Sequence, residues 1–142
     1  MATEEARATL ATILRRATPH IVVLVAQEAA RSSGASSDDR RTYEAFLASA
    51  AAPILEVVPA SDAERERAFA TALPRLVLQR ARVVPPVARV GLLEIGLRMA
   101  RTDIAREAAS DDERVTLERE LATLGDQLRA AVSAMCGDSA VV

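Results

Sequence analysis

Apolar residues recur at helical spacing along almost the whole chain, and no stretch alternates cleanly enough to make a half-buried strand. Thr3, Glu4 and Glu5 form a helix start, with carboxylates at the positive end of the helix dipole. Leu10, Ile13, Leu14 and Ala17 then share a face, and this first helix is expected to end near Arg16. Thr18-Pro19 reads as a new start, Thr as cap and Pro at the first helical position. The β-branched run from Ile21 to Ala26 continues without a turn and has no other strand to pair with, so helix is favoured there. Ser32 to Asp39 is the clearest loop and ends in a cap signal at Ser37. The next helix turns Tyr43, Phe46, Leu47 and Ala50 inward and is expected to break near Pro53. The segment Ile54 to Pro59 then serves as a helical turn or an extended connector. Ser61 and Glu64 have capping-box spacing. The helix they open carries Phe69, Ala72, Leu73, Leu76 and Val77 on one side, with a kink expected at Pro74.

The most informative stretch follows Pro85-Pro86. From Val87 to about Ala109 the period is helical, with Val90, Leu93, Leu97, Ala100, Ile104 and Ala108 on one face. Leu92, Ile95 and Met99 form a second apolar face roughly opposite. A helix with two apolar faces needs two surfaces to pack on: its own core, and a second that could be another subunit. After a second capping box at Ser110–Glu113, the residues Leu117, Leu121, Leu124, Leu128, Ala131 and Met135 recur at spacings of four and three. Fewer than three heptads favours bundle packing over an independent coiled coil. Gly137 is expected to end this helix and leave 137–142 as a frayed tail. The expectation is an all-α single domain over 1–142, built from five or six helices.

Composition narrows the function classes. A chain of 142 residues can bury about 70% of its unfolded surface. With only Tyr43, Phe46 and Phe69 as aromatics, the core must be aliphatic. All 18 basic residues are Arg, and a Lys-free, Ala- and Arg-rich chain suggests a GC-rich bacterial genome. A net charge of −2 gives no general reason to expect nucleic acid or a membrane surface as partner. One cysteine, Cys136, allows no intrachain disulfide and no Cys-type metal spacing. No apolar run is expected to reach the roughly 18 residues of a spanning helix, and the acidic start has no signal layout. A cytoplasmic protein is the expectation.

No catalytic constellation emerges. His20, the only histidine, stands at a helix start in an apolar context that suits neither a triad nor a phosphorelay, and is expected to be structural or solvent-facing. One His and one Cys cannot close a zinc site, and no Glu-x-x-His pair exists for a di-metal site. No cofactor or metal is expected. The doublets Asp38-Asp39 and Asp111-Asp112 read as caps. Between Arg67 and Leu93 there are arginines at 67, 75, 80, 82 and 89 and no acidic residue. They are either scattered cations paired elsewhere or, through Arg75, Arg80, Arg82 and Arg89, a patch for an acidic partner. Gly91 and Gly96 cost the central helix roughly 1 kcal/mol each, and serve either tight packing in the bundle or a close-crossing subunit interface.

The segment Arg89 to Leu97, RVGLLEIGL, followed by a long helix, a capped turn and a final helix, resembles the end of bacterial sensor globins. Ile95-Gly96-Leu97 matches the step after their proximal histidine, and Leu92 stands where that haem ligand is expected. The helical layout and length are also similar to the non-haem globin-like N-terminal domains of RsbR-type stressosome proteins. The resemblance implies a globin-like bundle without haem, acting as a dimeric regulatory module in a signalling assembly. Two readings follow. The first is a non-catalytic cytoplasmic regulatory domain that homodimerises through Leu92, Ile95, Gly96, Met99, Leu117, Leu121, Leu124 and Leu128, with an apolar ligand pocket as an added feature. The second is a helical adaptor or assembly subunit docking an acidic partner through Arg67–Arg89.

Overall fold

The computed structural model describes the backbone of residues 2–33, 37–79 and 86–141, and the side chains of 2–31, 39–72, 74–75 and 91–134. Five helices account for it: α1 (Thr3–Ser33), α2 (Ser37–Val57), α3 (Asp62–Gln79), α4 (Pro86–Glu107) and α5 (Asp111–Val141). The all-α expectation holds, and no strand occurs among the described residues.

Proline is where the expected boundaries fail. Pro19 and Pro53 lie inside continuous helices rather than starting or breaking them, and α3 runs on through Pro74 as expected of a kink position. A proline within a helix removes one backbone bond, at a cost of ~3 kcal/mol, and burial on both sides of it can exceed that cost. Leu10, Ile13 and Leu14 precede Pro19, and Val25, Ala26 and Ala30 follow it, all within 8% of full burial. The two predicted N-terminal helices are therefore one. Thr18 does not cap; its hydroxyl donates to the Leu14 carbonyl one turn back at 2.5 Å. Likewise Ile54 to Val57 belong to α2 rather than to a connector. Pro86 takes the first position of α4, where its missing N–H costs nothing. The predicted caps at Ser61 and Ser110 hold: their hydroxyls accept the backbone N–H of Glu64 at 3.3 Å and of Glu113 at 3.1 Å. The expected stop at Gly137 does not, because α5 runs on to Val141.

Joining the two N-terminal segments has a second consequence. The single helix α1 is long and apolar enough to cross a membrane, with mean hydropathy 1.2 over its best stretch. Within the bundle α1 lies against α2, α4 and α5, with 28% of that stretch buried. Arg15 and Arg16 point outward midway along it, where a bilayer centre would cost roughly 2.5–3.5 kcal/mol for each.

The remaining contacts are selective. Helix α2 packs against α1 and α3, α3 against α2 and α5, and α4 against α1 and α5. Among the described residues α2 makes no close backbone approach to α4 or α5. The main core gathers Leu10, Leu14, Phe69, Ile104, Leu117 and Leu124 with their neighbours, while a smaller cluster joins Val25, Phe46 and Leu92. Both apolar faces of α4 are thereby used within one chain. Leu93, Leu97, Ala100 and Ile104 face the main core, and Leu92, Ile95 and Met99 face the smaller cluster.

Candidate ligand site

The gap between α2 and the α4–α5 pair is a slot of about 190 Å³, floored by α1. Each helix supplies the side of its turn that faces inward. Leu14, Ile21 and Val25 come from α1; Phe46, Leu47 and Ile54 from α2; Leu92, Leu93 and Leu97 from α4; Leu121, Leu124 and Leu128 from α5. The deep wall is fully buried, as at Leu92, Leu124 and Val25, while Leu47, Ile54, Leu93 and Leu97 are half-buried along the lip. Among the described residues one polar side chain lines the slot, that of Thr18, and its proton is already given to the Leu14 carbonyl. The rest of the described lining is aliphatic side chains, small residues and one phenyl ring.

This changes the place of the residues expected at a subunit interface. Leu92, Leu117, Leu121, Leu124 and Leu128 are at most 6% exposed within a single chain. The heptad-like seam of α5 is used internally, because α1, α3 and α4 already cover it. Ile95 and Met99 pack on the Val25–Phe46–Leu92 cluster. Gly96 lines the slot, and a Cβ there would meet only Val25 Cγ2, at 4.0 Å. A Cβ at Gly91 would meet nothing within 4 Å. Within the chain neither glycine stands at a close helix crossing. The glycine that does is Gly125, where a Cβ would stand 3.2 Å from Leu97 Cδ1.

A second, charged groove of about 400 Å³ runs along the outside of α4 and α5, lined by Glu94, Arg98, Arg101, Glu118 and Arg129. Leu97 and Leu121 line both spaces and form the wall between them. Arg129 grips Glu94 through Nε at 2.5 Å and Nη2 at 3.2 Å. That hydrogen-bonded pairing holds the Glu94 carboxyl below its usual range and raises Arg129.

A third cluster lies at the other end of the bundle. Arg65 is 0% exposed, and its Nε and Nη2 donate to the Val58 carbonyl at the end of α2. Arg7 donates to the Ala60 carbonyl at 3.0 Å, to Asp62 at 2.9 Å and to Glu120 at 3.3 Å. Burial, followed by the charge of Arg7, pushes the Arg65 guanidinium below its usual value, with Glu120 and Asp62 acting the other way. These arginines clamp the α2–α3 turn. Their partners are structural carbonyls and carboxylates, and the donor left over, Arg65 Nη1, is buried away from solvent. One signal did mark Arg65 in the sequence: it lies four residues before Phe69, on the apolar side of α3.

The other predicted positions come to less. Arg75 is exposed on α3, while Arg80, Arg82 and the Arg89 side chain lie outside the described residues, as does the Cys136 side chain. His20 faces solvent on α1. No group of three or more His, Cys, Asp or Glu side chains among the described residues could hold a metal ion. No family model, curated protein or solved structure matches the chain.

Proposed function

We propose that this chain is a non-catalytic cytoplasmic regulatory module, globin-like in layout, that binds a small apolar ligand between its helices and signals through association with a second copy. The observation that carries the reading is the slot. Close-packed interiors hold few voids larger than a water molecule, yet this bundle keeps about 190 Å³ open between α2 and the α4–α5 pair. An apolar cavity of comparable size, about 150 Å³, stays dry and takes up benzene. Leu92, at the place the sensor-globin resemblance gives to a haem ligand, is one wall of that slot and offers no donor atom. Association must use surfaces other than the Leu117–Leu128 seam, which is interior.

The test is sedimentation velocity on the purified chain, with and without the neutral fluorophore N-phenyl-1-naphthylamine, recording its emission on the same samples. A rise in emission at one saturable site, with a dimer whose dissociation constant shifts on binding, is the expected result. A chain that stays monomeric at tens of micromolar and leaves the emission unchanged would overturn the proposal.

A further inference from the structure

The composition of the slot wall also fixes the kind of guest it takes. We infer that the ligand is an uncharged, compact hydrocarbon-like molecule of one or two rings, or a branched alkyl group of similar size, and that the slot rejects a charged molecule of the same shape. The inference rests on the proposed ligand-binding reading and names the ligand class for it.

Three observations carry it. Among the described residues no ionisable side chain lines the slot, and the hydroxyl of Thr18 has committed its proton to the Leu14 carbonyl. A carboxylate inside would therefore lose its water and find no donor, which is the most costly state for a buried charge. Arg98, Arg101 and Arg129 line the outer groove, behind the wall made by Leu97 and Leu121. Leu97 is held against α5 at Gly125, so that wall is closed by close packing. Size suits such a guest: the slot, open along its lip, holds about 190 Å³, a little more than an apolar cavity that takes benzene. Entry falls between α2 and the α4–α5 pair, where backbones do not pack together and the lip of Leu47, Ile54, Leu93 and Leu97 is half-buried.

Naphthalene and 2-naphthoate make the test, since they share a ring system and differ in charge. The chain has no tryptophan, so naphthyl fluorescence reads out directly. Naphthalene is expected to bind at least about a hundredfold more tightly than 2-naphthoate. Gly96→Leu sends a side chain into the slot from a position where a Cβ meets only Val25, and removes a helix glycine. It should keep the helical circular dichroism and weaken naphthalene binding at least tenfold. If Gly96→Leu does not fold, Ala50→Leu fills the slot from the α2 wall and decides in its place. Affinities within tenfold of each other, both lost on filling the slot, would keep the ligand-binding reading and overturn the ligand class. Naphthalene binding that ignores both filling variants, or no binding of either compound, would overturn the two together.

Discussion

Replacing Arg65 separates what its stem contributes from what its guanidinium contributes. Arg65→Ala removes two buried methylenes, about 1.6 kcal/mol at roughly 0.8 each. It also strips the Val58 carbonyl of both donors from Arg65, and Val58 is 0% exposed, so water cannot replace them. An orphaned buried acceptor costs about 1–3 kcal/mol. Against this stands a gain. Nη1 of Arg65 has no hydrogen-bond partner and lies 3.9 Å from Asp62, and the Arg7 charge opposes it. Relief of that desolvated, half-satisfied cation returns about 1–2 kcal/mol. The net loss is about 2 kcal/mol for Arg65→Ala and about 0.5 kcal/mol for Arg65→Met, which restores the stem but not the donors. Urea unfolding followed by circular dichroism would read this as midpoint drops of about 1 M and about 0.25 M, at a slope of about 2 kcal/mol/M. A methionine variant with a midpoint at or above that of the parent would refute the reasoning. The buried guanidinium would then be a net liability, and the α2–α3 turn would be held by Arg7 alone.

Two further expectations follow from the glycines and from the α4–α5 ion pair. Gly91→Ala and Gly96→Ala should each stabilise the protein by up to about 1 kcal/mol, since helix propensity improves and nothing is crowded. Gly125→Ala should gain little or lose stability because its Cβ presses Leu97; thermal melts showing Gly125→Ala as the most stabilising of the three would contradict the packing. The Glu94 carboxyl should titrate below the usual ~4.3 in a carbon-detected NMR titration and move back toward it in Arg129→Gln. Because its folded pKa lies below the unfolded one, its contribution to stability is complete above the unfolded pKa and is lost as pH falls through the folded pKa. An unshifted Glu94 titration in the parent would show that the pair does not form in solution.

The helical period of α4 was legible to the residue, because two apolar faces at 100° per residue leave little choice, and Ser61 and Ser110 cap as their spacing says. The interior prolines were misleading because a local rule sees the lost N–H of Pro19 or Pro53 but not the buried side chains on both sides. The seam from Leu117 to Leu128 showed which residues are buried but not against what, since periodicity carries no information on whether the cover comes from the same chain. The slot was illegible for a different reason. It exists because α2 meets α1 and α3 but neither α4 nor α5, and that is a property of helix placement rather than of any one helix. Gly125 was overlooked because its value depends on Leu97, nearly thirty positions earlier in the chain.

The clamp formed by Arg7 also sets an order of events during synthesis. Arg7 belongs to the first helix made, yet its partners Ala60, Asp62 and Glu120 arrive with the second turn, the third helix and the last. At ~5–20 residues per second, roughly 4–17 s separate the end of α1 from the appearance of Glu120. Throughout that interval a helix long and apolar enough to span a membrane has emerged without the α5 surface that covers its Leu10 and Leu14 side. The outward pair Arg15 and Arg16 adds roughly 2.5–3.5 kcal/mol each to the cost of placing the middle of α1 in a bilayer during that wait. In the finished bundle the same two side chains lie at the surface, where Arg16 reaches Glu107 at 3.9 Å.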